Sequence, residues 1–229
     1  GEEKMKVEFS PSLMCMDFLK MEEQFNILND KVDMYHIDIM DGHFCKNITL
    51  SPDLVKTFSK VAKKPMDVHL MTTNPTDWIE KVAEAGAEYI SPHAETINGD
   101  AFRVMNMIKS LGCKTGVVLN PATPLSYVKH YLNRIDLLTI MTVDVGFAGQ
   151  PFIEEMLDKI KEAKELKEKY GYTYKIQIDG SCNPKTYKRM YDAGAEVLIV
   201  GSSGLFGLNE DLNKACDQMF EDFNRAIAE

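Results

Sequence analysis

Short apolar runs recur along the chain, each followed by a polar loop and an amphipathic segment. They lie at Val7–Ser10, Met34–Asp38, Met66–Leu70, Tyr89–Pro92, Thr115–Leu119, Leu137–Met141, Lys175–Asp179 and Val197–Val200. Runs of this kind separated by helical patterns read as parallel strands joined by crossover helices. Their starts fall roughly 27 residues apart, the length of one strand–helix unit, and eight such units predict a closed (β/α)8 TIM barrel, whose usual size is ~250 residues. An open doubly wound sheet competes with this reading, but no Gly-x-Gly-x-x-Gly follows the first run.

Helix signals sit between the runs. Asn74-Pro75 and Asn183-Pro184 each offer an N-cap with proline at the first helical position. Ala85-Gly86-Ala87-Glu88 and Ala193-Gly194-Ala195-Glu196 each lead into a strand, as a helix stopped by glycine does. No Pro/Gly/Ser-rich linker divides the 229 residues, so a single barrel domain is expected over 1–229, with Gly1–Lys4 a short polar extension or a cloning remnant.

Composition narrows the partners. Lys+Arg 26 against Asp+Glu 35 leaves a net charge of -9, which speaks against nucleic acid and anionic membranes. No apolar run is long enough to span a bilayer. The five cysteines (Cys15, Cys45, Cys113, Cys182, Cys216) are scattered and form no Cys-x-x-Cys pair, which argues against a disulfide framework or a thiolate zinc site and fits a reducing cytoplasm.

In a barrel of this type functional groups lie at the C-terminal strand ends. On the second run, a side-chain period of two puts His36, Asp38 and Met40 on one face and Ile37 and Ile39 on the other. The third run adds His69 and the seventh adds Asp179. Each of these four alone is most simply a hydrogen-bonded structural group. Together, two imidazoles and two carboxylates at one rim form a ligand set for divalent zinc, iron, manganese or cobalt, because an ion compensates buried carboxylates.

Three glycine-rich turns follow later runs: Val143–Gln150 with Gly146, Phe147, Ala148 and Gly149; Gly180-Ser181; and Gly201-Ser202-Ser203-Gly204. They serve either as tight turns or as a phosphate cradle of backbone amides, since no lysine or arginine lies in them. Met14, Met16, Met40, Met71 and Met141 follow strands, either as flexible filler or, for Met40, Met71 and Met141, as a dry ceiling over the ion. Ser12, His93 and Glu95 are rim groups suited to a hydroxylated substrate. His130 is expected on the surface, and Asp41, Asp67 and Asp144 as caps or supporting partners.

The segments Ser10-Pro11-Ser12-Leu13, His36-Ile37-Asp38-Ile39-Met40-Asp41-Gly42, Asp67-Val68-His69-Leu70-Met71, Leu119-Asn120-Pro121, Gly146-Phe147-Ala148-Gly149-Gln150 and Val200-Gly201-Ser202 resemble the ribulose-phosphate 3-epimerase family from Val7 to about Phe206. The resemblance implies a metal-dependent barrel that inverts C3 of ketose phosphates through a cis-enediolate. It puts the ligands on His36, Asp38, His69 and Asp179 and the acid/base pair on Asp38 and Asp179. Substrate contacts are expected from Ser12, His69, His93, Met40, Met71 and Met141, with phosphate on Gly146, Phe147, Ala148, Gly149, Gly180, Ser181, Gly201, Ser202 and Ser203.

Two departures bear on substrate. The family's usual Pro-Gly-Phe-Gly-Gly-Gln stands here as Val145–Gln150, and its Asp-Gly-Gly as Asp179-Gly180-Ser181-Cys182. With the run Glu95–Arg103, these look most like the allulose-6-phosphate 3-epimerase branch. D-Allulose 6-phosphate to D-fructose 6-phosphate is therefore the expected reaction, with D-ribulose 5-phosphate to D-xylulose 5-phosphate as the alternative. A zinc ion, a cytoplasmic site and a homo-oligomer complete the expectation. A metal-dependent aldolase or a non-catalytic sugar-phosphate binder are the rivals, while an orotidine-phosphate-type decarboxylase would want Asp-x-Lys-x-x-Asp where the chain has Asp67-Val68-His69-Leu70-Met71-Thr72.

Overall fold

A computed structural model describes residues 5–229, so the expectation for Gly1–Lys4 lies outside the described residues. In chain order the elements are β1 (Glu8–Pro11), α1 (Met21–Leu28), β2 (Tyr35–Asp41), β3 (Ile48–Thr49), α2 (Pro52–Ser59), β4 (Met66–Met71), α3 (Ile79–Ala85), β5 (Tyr89–Pro92), α4 (Ala94–Ile97), α5 (Ala101–Ser110), β6 (Lys114–Leu119), β7 (Leu137–Met141), α6 (Met156–Tyr170), β8 (Lys175–Asp179), α7 (Tyr187–Ala193), β9 (Val197–Val200) and α8 (Leu212–Ala228).

Eight parallel strands run in the order β1-β9-β8-β7-β6-β5-β4-β2, and β3 adds a short antiparallel pair to the end of β2. The ring closes between β1 and β2. Ser12 bridges His36 in parallel register, and the Phe9 carbonyl accepts from the N–H groups of Asp33 and Met34 at 3.1 and 3.4 Å. The expected (β/α)8 barrel is the observed fold, and four of its eight strands have the expected limits. β2 runs on to Asp41 because β3 gives its end a partner. Among the described residues, no helix is long and apolar enough to cross a membrane.

Helix ends follow local chemistry more than the Asn-Pro pairs suggest. Gly86 and Gly194 stop α3 and α7 at φ +117° and +118°, a backbone region costly for any residue with a Cβ. Pro75 opens only a single 3₁₀ turn, and α3 begins after Trp78. Asn183 likewise precedes a turn, with α7 starting at Tyr187. The pair that does start a helix is Ser51-Pro52, where the Ser51 hydroxyl accepts the Leu54 N–H at 3.3 Å.

Ile37, Ile39, Val68, Leu70, Ile90, Ile140 and Ile178 face the helices within one continuous core. Inside the barrel, Met34, immediately before β2, forms a separate apolar cluster with Tyr89, Leu137 and Val197 of β5, β7 and β9, so that alternate positions around the ring each contribute one residue. This is the layer geometry of a closed eight-stranded barrel. Above that plug the interior turns polar. Asp67 accepts from Ser91 Oγ at 2.6 Å and from Gln177 Nε2 at 2.9 Å, and the same amide reaches Thr139 Oγ1 at 2.9 Å.

Gly116 makes room for this network: a Cβ there would stand 1.9 Å from Ser91 Oγ. Gly116→Ala is therefore expected to expel the Ser91 side chain from Asp67 and to destabilise the fold by about 1–3 kcal/mol. Thermal melting checks this. The double variant Ser91→Ala with Gly116→Ala should recover part of the loss, and no recovery would place the strain elsewhere.

Candidate active site

Strand register assembles the site. In the parallel pairing of β2 with β4, His36 stands beside Asp67 and Asp38 beside His69. β8, separated from β2 by β1 and β9 around the ring, brings Asp179 to the same level. His36 Nε2 and His69 Nδ1 lie 3.2 Å apart, and each is 3.1 Å from Asp38 Oδ1. Asp179 Oδ2 is 3.5 and 3.3 Å from the same two nitrogens. His36, His69 and Asp38 are buried and Asp179 is nearly so.

The far sides of both imidazoles decide what they present inward. His36 Nδ1 lies 3.0 Å from Asp67 Oδ2, a carboxylate that can only accept, so the proton belongs on Nδ1 and the Nε2 lone pair faces the centre. His69 Nε2 lies 2.7 Å from His93 Nε2, and His93 Nδ1 lies 3.0 Å from Glu95 Oε1. The centre is thus lined by two imidazole lone pairs and two carboxylates, all acceptors, which leaves it suited to a cation. Donors about 2.1 Å from a common ion and set near tetrahedral angles lie about 3.4 Å from one another. The observed separations of 3.1 to 3.5 Å match that spacing. His36, Asp38, His69 and Asp179 could therefore hold a divalent ion.

Without an ion, protons balance the carboxylates. Burial acts to lower the pKa of His36 and His69, but attraction to Asp38 and hydrogen bonds with Asp38 and Asp179 outweigh it and raise both. Burial acts upward on Asp38 and Asp179, but the two imidazoles hold both below the ordinary carboxylate range.

The signs fix a pH window. A raised imidazole pKa stabilises the fold below the unfolded value of about 6.5 and is lost as pH rises through the raised value. A lowered carboxylate pKa stabilises it above the unfolded value of about 3.8 and is lost as pH falls through the lowered value. His93, which burial pushes down to about 4, takes stability away progressively as pH falls from about 6.5 toward 4, where the other two imidazoles contribute a constant amount. The ion-free protein should be most stable near about pH 6.5 and weaken toward pH 8. Tm measured against pH checks this, and a Tm that rises from pH 6 to 8 contradicts it.

A cavity opens above this centre at the C-terminal rim. Ser12, Asp38, Met40, Met71, Met141 and Asp179 line its floor and wall, and Gly146–Gly149, Gly180, Ser181 and Gly201–Ser203 line its outer side. Ser12 Oγ donates to Asp38 Oδ2 at 3.2 Å. Met40 and Met71 pack with Cys45, while Met141 packs with Val118 and Val143, and Val145 touches both groups. Met16 instead lies in the main core.

The turns around the cavity are tied together. Asn47 Nδ2 donates to the Gly146 carbonyl at 2.8 Å, Ser181 Oγ to the Gln150 carbonyl, and Asn183 Nδ2 to Ser203 Oγ at 3.2 Å. Among the described residues, no lysine or arginine lines the cavity.

His69 and His93, both expected to contact substrate, are fully buried and are not among the residues that line the cavity; His69 turns Nδ1 to the centre, and both ring nitrogens of each lie within hydrogen-bonding distance of other side chains. His93 stands behind His69, because its ring stacks on His69 at 4.8 Å between centroids and is covered by Phe44 at 4.6 Å. Asp67 supports His36. Asp41 caps the turn after β2, accepting from the His43 and Phe44 N–H groups, while Asp144 lines the cavity and His130 is exposed. Ser91, Thr139, Gln177 and Lys159 escaped the sequence reading. Lys159 is buried on α6 and donates to the Asn120 and Pro121 carbonyls at 3.0 and 3.2 Å. Its neighbours in sequence are those of an ordinary charged helix face, so nothing local marks its burial.

Comparison with known proteins agrees with this architecture. The profile described as "Ribulose-phosphate 3 epimerase family" matches residues 8–206. The chain is 38% identical over 215 residues to the ribulose-phosphate 3-epimerase of Bacillus subtilis (strain 168), covering 93% of this chain and 98% of that protein. It is 39% identical over 211 residues to the chloroplastic ribulose-5-phosphate-3-epimerase of Arabidopsis thaliana, covering 90% and 74%. Its fold is shared with KGPDC from Streptococcus mutans, at a TM-score of 0.73 and 13% identity over 96% of this chain and 98% of that one. The chain belongs to the ribulose-phosphate 3-epimerase family and is an isomerase of the epimerase class.

Proposed function

We propose that the chain is a divalent-metal-dependent ketose-phosphate 3-epimerase in which Asp38 and Asp179 exchange the C3 proton from opposite faces of the substrate. The observation that carries this reading is the convergence of four acceptors, His36 Nε2, Asp38 Oδ1, His69 Nδ1 and Asp179 Oδ2, where Asp38 and Asp179 reach the floor of a cavity whose outer wall is glycine-rich backbone and the two imidazoles meet them from beneath. Zinc suits this nitrogen and oxygen set first, with iron, manganese or cobalt as substitutes.

When bound, the ion supplies Lewis-acid polarisation of the ketone and so makes the neighbouring C3 proton more acidic. The protein's own groups do the rest. One carboxylate removes the proton from C3, and the other returns a proton to the opposite face, with roles exchanged in the reverse direction. Ser12 holds Asp38 Oδ2 in place. The methionines around the mouth keep water from the reacting carbon and strengthen the local field. The turns at Gly146–Gly149, Gly180-Ser181 and Gly201–Ser203 would take the phosphate through backbone N–H groups and hydroxyls. Because that contact is remote from C3, a ketose without phosphate should lose kcat as well as affinity.

The names of the curated relatives support D-ribulose 5-phosphate and D-xylulose 5-phosphate as the reacting pair, ahead of the allulose 6-phosphate expected from local motifs. One observation keeps the six-carbon reading in view. Ser181, which replaces a glycine of the usual family motif, holds a left-handed backbone at φ +52° and ties the cavity wall to Gln150. Rates with each ketose phosphate, followed by NMR, decide between them. Turnover of neither overturns the proposed function.

Three unpaired buried cysteines, Cys45, Cys182 and Cys216, support a reducing cytoplasmic setting. Leu19 and Ile48, 97% and 77% exposed, support burial against another copy in a homo-oligomer, which sedimentation would measure.

A further inference from the structure

Behind the site, His69 is joined to a chain of buried polar groups that leads away from the cavity. His69 Nε2 and His93 Nε2 are 2.7 Å apart, a distance at which one proton is shared and two N–H groups would repel. Which ring carries that proton is decided one step further out. Glu95 Oε1 faces His93 Nδ1 at 3.0 Å and also accepts the Asn120 N–H at 3.2 Å.

A carboxylate that already accepts a backbone N–H has only acceptor capacity to offer the imidazole, so His93 carries its proton on Nδ1. Its Nε2 is then a lone pair. The shared proton therefore belongs to His69 Nε2, and the His69 Nδ1 lone pair is left pointing at Asp38 and Asp179. The rings are held for this by stacking, His93 between His69 at 4.8 Å and Phe44 at 4.6 Å. Asn120, whose N–H completes the Glu95 contact, is itself fixed by Lys159 on its carbonyl at 3.0 Å.

The two imidazoles at the centre are thus supported differently. His36 receives a carboxylate directly, from Asp67. His69 receives one through an intervening imidazole. We propose that His93 and Glu95 are positioning residues for the divalent ion, setting the tautomer and ring orientation of His69 without touching substrate. This rests on the metal-dependent reading above and adds to it a relay that the ligand set alone does not contain. It also gives His93 a role that suits its burial behind His69.

The test uses the purified ion-free chain and measures zinc affinity by competition with a chromophoric chelator, and the absorption spectrum of the cobalt-loaded protein. His93→Leu removes the acceptor, whereas His93→Gln places an amide oxygen near the position of Nε2. Glu95→Leu acts at the half-buried end of the relay and carries the same test if His93→Leu does not fold. His93→Leu and Glu95→Leu should weaken zinc binding by about 10- to 100-fold and alter the cobalt bands. His93→Gln should keep the wild-type cobalt spectrum and recover most of the affinity.

Two results overturn the proposal while leaving the metal reading intact: wild-type affinity and spectrum in the leucine variants, or equal losses in His93→Gln and His93→Leu, which would mark a packing role. A wild-type chain that takes up neither zinc nor cobalt overturns the metal reading itself, and the relay with it.

Discussion

Replacing Asp38 or Asp179 with asparagine is expected to slow epimerisation by a factor of about 10² to 10⁴. The reason is geometric as well as chemical. Inversion removes a proton from one face of C3 and delivers one to the other, and the two carboxylates come from strands separated by β1 and β9 around the barrel. An amide in either place can neither take up nor supply the proton.

The two variants should differ in a diagnostic way. With one carboxylate left, the C3 proton of a single epimer can still leave and return on the same face, giving solvent exchange without inversion. Asp38→Asn and Asp179→Asn should therefore exchange opposite epimers. Both residues also face His36 and His69, so ion content must be restored and verified before rates are compared. Near-normal inversion by either ion-loaded variant contradicts the acid/base assignment.

Removal of the ion is the second large effect. Dialysis against a strong chelator should reduce epimerisation at least about 100-fold, and a stoichiometric divalent ion should restore it. The barrel should survive this treatment, since its main core lies between strands and helices and does not include the four ligands. Circular dichroism separates loss of function from loss of fold. Full activity after verified removal would contradict metal dependence and leave Asp38 and Asp179 facing protonated imidazoles as the working state.

Much of this was legible in the chain because the relevant signals are local. Each strand is a short apolar run, and the alternation in Tyr35–Asp41 already separates the interior face from the helix face. The position of a polar residue at a strand end is a statement about depth in a barrel, so His36, Asp38, His69 and Asp179 could be grouped without coordinates. All the residues expected around the phosphate line the cavity for the same reason.

The supporting groups were hidden because their partners are remote in sequence. Gln177 meets Asp67 across 110 positions and Ser91 meets it across 24. The need for Gly116 appears only when Ser91 is seen beside it. His93 looked like a rim group because it follows a strand, yet the short helix α4 that starts at Ala94 and the ring of Phe44 enclose it. Two asparagine–proline pairs carried a helix-start signal that the chain used for turns instead, since a proline fixes φ without fixing how many turns follow.

The most direct measurement is the isotopic fate of C3. The ion-loaded wild-type protein is given one epimer of its ketose phosphate in heavy water, and the product of the first pass is analysed by NMR and mass spectrometry. The expected result is one solvent deuterium at C3 of each product molecule and none at the other carbons, because the proton removed by one carboxylate is not the one supplied by the other. Product that retains the substrate's own C3 proton, or release of a triose phosphate, would contradict two-carboxylate inversion at this site.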